Sequence, residues 1–204
     1  MPHRSPFLLF ALLGACVAGA TVAAEDFPPT ESLPSIFNGR DLEGWKAPAE
    51  PHWKAVDGIL VGRNDAEKKG SMLYTARDYG DVIFEAEVRW TGEIDSGFML
   101  RRPEVQVQIG VSRSLKRDMT CSFYVGGYPE EAQAKRAAEL LLPGQWNRIR
   151  VRVRGRTFTV WLNGEEVSRY TAPEPSAEGP IGLQIHGGLE MQVEFRDLRA
   201  LAPD

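Results

Sequence analysis

Three polar residues stand at alternate positions in one short run: Glu104, Gln106 and Gln108, interleaved with Val105, Val107 and Ile109. Strict alternation is the pattern of a strand with one apolar and one polar face. A carboxylate can serve as general base or acid, and amides beside it offer paired donors and acceptors. Planar groups of this kind suit the hydroxyls of a sugar, so the face fits the wall of a carbohydrate-binding concavity. A solvated face, paired across strands, is the other reading of the same alternation.

Further polar residues could join that face. Glu85, Glu87 and Arg89 share one parity in "FEAEVRW", Met99 and Arg101 in "GFMLRR", and Gln184 and His186 in "IGLQIHGG". If these strands lie in one sheet, their side chains pool into a single surface. His186 ends its run beside Gly187 and Gly188, where an imidazole can reach a ligand and titrate near neutral pH. His52 follows Pro51 in a loop-like context and reads as surface. The loop "SRSLKRDMT" concentrates Arg113, Lys116, Arg117 and Asp118, either as a solvated turn or as a cationic edge able to hold an anion. The stripe Arg148, Arg150, Arg152 and Arg154 runs the length of a hairpin strand and reads as structural.

Short alternating segments recur every eight to twelve residues from Ser35 onward, separated by Gly, Asn, Asp or Pro. That spacing indicates an all-β sandwich or barrel. Asn163-Gly164 marks a hairpin turn. One segment breaks the pattern: residues 129–141 are rich in Ala, Glu and Leu, start at Pro129 and stop before Pro143, which predicts one short helix of about ten residues.

Residues 1–24 have the layout of an export signal: Arg4, then an apolar run, then small residues before a cleavage point near Ala24. "LGAC", ending at Cys16, offers a second reading, a lipoprotein signal with a lipid anchor on Cys16 as the one link to a membrane. The protein is therefore expected to be exported, periplasmic or extracellular, or else anchored as a lipoprotein. Residues 25–34 read as a Pro-rich acidic linker, and residues 35–202 as one domain.

Without residues 1–24 the chain carries 23 basic and 28 acidic side chains. That balance argues against nucleic acid as a partner. Loss of Cys16 leaves Cys121 with no partner for a disulfide, and its apolar setting in "MTCSFYV" reads as a buried small hydrophobe. The sequence lacks H-E-x-x-H, C-x-x-C, P-loop, G-x-S-x-G and dinucleotide motifs. A zinc site of His and Cys is disfavoured. A carboxylate site for a harder divalent cation such as calcium stays open.

Seven motifs in order carry a wider resemblance: "IFNGRDLEGW", "WKAVDGILVG", "SGFMLRR", "EVQVQIG", "PGQWNRIRVRVRG", "TVWLNGEEV" and "GPIGLQIHGG". Together they resemble the 3-keto-disaccharide hydrolase domain over roughly Ser35 to Leu201. The resemblance implies a concanavalin A-like jelly-roll of two antiparallel sheets with a concave ligand face. It also implies cleavage of glycosides oxidised to a ketone at the third sugar carbon, by elimination and then addition of water. On that reading Glu104 and His186 are the base and acid candidates, and Arg101, with Lys116 or Arg117, stabilises negative charge. Glu87, Gln106, Gln108 and Gln184 orient hydroxyls. The chain carries Asp95-Ser96-Gly97 where many members read Asn-Ser-Gly, and lacks their Asp shortly after the E-x-Q strand, which leaves Asp118 as the nearby carboxylate. A non-catalytic sugar-binding module of the same fold is the alternative.

Overall fold

A computed structural model describes residues 27–46, 48, 52–101 and 105–203. The leader, Cys16 and Glu104 lie outside them. The strands in chain order are β1 (Trp45–Lys46), β2 (Trp53–Val56), β3 (Ile59–Arg63), β4 (Ser71–Tyr79), β5 (Val82–Trp90), β6 (Asp95–Leu100) and β7 (Val105–Ser112). They continue as β8 (Arg117–Asp118), β9 (Phe123–Tyr124), β10 (Asn147–Arg154), β11 (Thr157–Leu162), β12 (Glu165–Thr171), β13 (Gly179–Ile185) and β14 (Gln192–Leu201).

Two antiparallel sheets stack face to face as a jelly-roll. One has the order β1-β4-β13-β6-β7-β8, with β9 also paired to β7; the other runs β12-β11-β10-β5-β14-β3-β2. Inward residues of both sheets form the core. Phe98 of the first sheet meets Phe84 edge-on at 4.9 Å and Phe195 at 6.0 Å, both from the second. Val105, Val107 and Ile109 point into that core and are buried, as the alternation of β7 requires.

The second sheet's outer face explains the arginine stripe. Glu85 and Glu87 of β5 stand opposite Arg150 and Arg148 of β10, and Arg196 of β14 faces Glu87. Arg150 and Glu85 are paired and buried, and Arg196 Nε donates to Glu87 at 2.6 Å. Arg148 and Arg150 belong to a cross-strand ion-pair ladder, and Arg152 lies over the Trp161 ring at 5.3 Å.

Three local expectations differ from the structure. The predicted helix is two short pieces, a 3-10 turn at Glu130–Ala132 and α1 (Ala137–Leu140). Between them Arg136 takes a left-handed φ of 61°, and the Lys135 amide bonds to Val167 O at 2.7 Å, so the segment is tied to β12 instead of coiling on. His52 is buried, with Nδ1 3.3 Å from Arg63 O. The described part of the Pro-rich stretch packs on the second sheet: Phe27 stacks edge-on with Trp161 at 5.2 Å, and Arg150 donates to Pro28 O at 2.7 Å.

Cys121 is free and wholly buried, and burial pushes its thiol far above the ordinary range. It acts as a small hydrophobe at a left-handed turn, φ 66°.

Candidate functional site

The register of the first sheet builds two rows on its outer face, the first of them polar. Gln184 of β13 pairs with Gly97 of β6, which pairs with Gln108 of β7. The next row out is Gly182, Met99, Gln106 and Tyr124. Because β13, β6 and β7 are hydrogen-bonded neighbours, residues far apart in sequence are brought side by side.

Around these rows lies a cleft of about 200 Å³ lined by Asp95, Gln106, Gln108, Ser112, Arg113, Ser114, Tyr124, Tyr128, Gln184 and His186. Its floor is one connected network. Gln106 Nε2 donates to Gln108 Oε1 at 2.9 Å and to Gln184 Oε1 at 3.0 Å. Gln108 Nε2 donates to Asp95 Oδ1 at 2.9 Å, and Tyr128 OH donates to Gln108 Oε1 at 3.0 Å. Asp95 Oδ2 accepts the Arg113 amide at 3.0 Å.

Gln106 and Gln108 are 6% and 1% exposed, so the polar face of β7 is not a solvated one. Buried amides must be hydrogen-bonded, and here they bond one another, which fixes their orientation before any ligand arrives. Gly97 makes this packing fit: a Cβ there would stand 2.6 Å from Gln106 Nε2 and 2.7 Å from Val107 O.

His186 lies at the cleft's rim, exposed, with Nδ1 2.7 Å from Gly187 O and its amide bonded to Asp95 O at 3.0 Å. Arg113 reaches the same edge, Nη1 donating to Gly188 O at 3.3 Å. Burial raises the Tyr128 phenol above its ordinary value, and the Asp95 charge acts in the same direction. Tyr128 therefore remains a neutral donor at working pH. Among the described residues, no cluster of three or more His, Cys, Asp or Glu could hold a metal ion.

Gln106, Gln108, Gln184 and His186 are thus brought together, Glu104 lies outside the described residues, and the other described candidates are placed elsewhere. Glu87 is in the second sheet, across the core, bonded to Arg148 and Arg196. Arg101 follows the last residue of β6 at a left-handed φ of 54°, which breaks the strand's alternation. Its buried guanidinium donates to Gly80 O at 2.9 Å, Gly155 O at 2.6 Å and Asp81 Oδ1 at 2.6 Å. It staples the β4–β5 and β10–β11 turns. Lys116 is exposed in the β7–β8 turn. Arg117 donates to Gln133 at 3.0 Å and Asp118 accepts the Thr120 amide at 2.7 Å, both beside a separate hollow.

Asp95, Tyr124 and Tyr128 are site residues that the sequence candidates omitted. Asp95 shares parity with Gly97 and Met99 along β6, so extending the strand pattern by two residues would have found it. Tyr128 sits in an aperiodic loop and carries no such signal.

No curated protein matches the sequence. Among solved structures, a Parabacteroides distasonis ATCC 8503 protein provisionally described as a glycosyl hydrolase is 19% identical. The alignment covers 83% of this chain and 98% of that one, with TM-score 0.65. The carbohydrate-binding module CBM66 from Bacillus subtilis is 16% identical over 78% and 96% of the two chains, with TM-score 0.58. A β-1,3-1,4-glucanase (lichenase) from a mouse hindgut metagenome is 15% identical over 75% and 84%, with TM-score 0.53. These likenesses are of fold. The family is given by the sequence: a model of the 3-keto-alpha-glucoside-1,2-lyase-like domain matches residues 33–200, and the chain belongs to that family.

Proposed function

We propose that this is an exported enzyme that cleaves 3-keto-glycosides in the cleft of the first sheet. The observation that carries the reading is the convergence of an imidazole, a buried carboxylate, a guanidinium and three interlocked amides on one small cleft. In a 3-keto sugar the ketone acidifies the hydrogen on the second carbon. His186 takes that proton, and the electron pair forms an enolate whose oxygen faces Arg113. The enolate then expels the substituent on the first carbon, which leaves with a proton from an acid, and water adds across the resulting double bond. Gln106, Gln108 and Gln184 hold the remaining hydroxyls, and Asp95 fixes Gln108. Glu104 is the sequence's candidate for the second acid–base role.

Incubation of the purified domain with 3-keto-disaccharides, with added calcium or with EDTA, tests this by mass spectrometry of the products. Free sugar is expected, and its absence across several substrates with folded protein overturns the reading.

The Tyr124–Tyr128 pair, ring centroids 5.1 Å apart at the cleft wall, favours a second reading. Aromatic faces stack on sugars, and a binding module would show saturable glycan binding with no product. Export itself is checked by cell fractionation and by the mature N-terminal residue, which separates cleavage near Ala24 from lipidation at Cys16.

A further inference from the structure

The cleft has a neighbour of opposite character. A hollow of about 550 Å³ adjoins it, walled by Met99, Tyr124, Tyr170, Pro173 and Pro175. The two share Gln106, Tyr124 and Gln184, so they are lobes of one concave site. The polar lobe is centred on the Gln184–Gly97–Gln108 row, and Met99 stands two residues further along β6. Two strand residues span about 7 Å, the reach from a sugar ring to a group on its first carbon.

We infer that the apolar lobe receives a flat, apolar aglycone, so that the preferred substrates are 3-keto-glycosides with an aromatic leaving group instead of a second sugar. The inference rests on the polar lobe being the saccharide site proposed above. A second sugar needs several donors and acceptors around its hydroxyls, and among the described residues the amides lie only at the shared border. An aromatic ring needs apolar walls, which Met99, the two prolines and the rings of Tyr124 and Tyr170 provide. Among the described residues, Glu174 is the one charged residue lining this lobe. It disfavours an aglycone that is itself an anion.

The test uses full-length His186→Ala protein, so that binding is read without turnover. Isothermal titration compares 3-keto 4-nitrophenyl glucosides of both anomers with 3-keto-diglucosides. The expected result is at least tenfold tighter binding of an aryl compound. Met99→Glu, at a partly exposed position on the outer face, should bring the ratio close to one. The 4-carboxyphenyl analogue should bind more weakly than the 4-nitrophenyl compound, and Glu174→Gln should recover that loss. Equal affinities, or a preference that survives Met99→Glu, overturn the inference and leave the saccharide site intact. Failure of every glycoside to bind overturns both. An aryl preference together with no turnover by the unmodified protein overturns only the proposed chemistry.

Discussion

Gln106 Nε2 donates to Gln184 Oε1 at 3.0 Å, joining residues 78 apart in sequence across the width of β6. The bridge passes over Gly97, whose missing Cβ leaves the space. Gly97→Ala would press on both the Gln106 amide and the Val107 carbonyl, and backbone cannot move aside cheaply. Denaturation should show a loss of about 1–3 kcal/mol, as overpacking costs. Saccharide affinity should fall with it, because Gln106 is displaced. Unchanged affinity would separate the amide row from ligand recognition.

His186 carries no packing duty that its removal would expose. It is exposed, and among the described residues its ring hydrogen bond is to the neighbouring Gly187 carbonyl. His186→Ala should lower turnover about 10²–10⁴-fold, the range for a general acid or base. Stability should move by less than about 0.5 kcal/mol. A variant that turns over normally would remove the imidazole from the mechanism.

Arg101 behaves in the opposite way. Its guanidinium is buried and satisfies two turn carbonyls besides Asp81. The Asp81 side chain is 40% exposed, so solvent softens the loss of its partner. Arg101→Ala should therefore cost about 2–3 kcal/mol, below the cost of breaking a wholly buried pair. Chemical denaturation reads this, and the folded fraction should keep its turnover per molecule. A stable variant with impaired turnover would return Arg101 to the chemistry.

Tyr128 gives the site a pH signature at the alkaline end. Burial raises its phenol above the ordinary value of 10.0, so the folded state favours the neutral form. Its contribution to stability is fully present below the unfolded-state value. It is lost as pH rises through the higher folded-state value. Ultraviolet titration should show two late steps, one from Tyr79, whose phenol burial also raises, and one from Tyr128. Tyr128→Phe should abolish the Tyr128 step, flatten the alkaline loss of stability and cost about 1 kcal/mol at neutral pH, the worth of the bond to Gln108. A Tyr128 that titrates at or below the ordinary value would contradict the buried network.

By itself the sequence determined the local half of this design. A period of two sent Val105, Val107 and Ile109 inward and Gln106 and Gln108 outward, because the pleat leaves a strand no other choice. Turn residues at regular spacing announced an all-β sandwich or barrel, and the ordered motifs announced the family and with it the two-sheet sandwich. Pairing between strands distant in the chain was decided only in the tertiary structure, where β13 joins β4 and β6 and β14 joins β3 and β5. Glu87 and Gln106 carry the same kind of alternation, yet β5 and β7 lie in different sheets, and the core separates their polar faces. One left-handed residue, Arg101, was enough to turn a side chain away from the cleft, and alternation cannot register a change of φ. The aperiodic loop that brings Tyr128 onto Gln108 has no period to read. Its place depends on what the rest of the chain has already built beneath it.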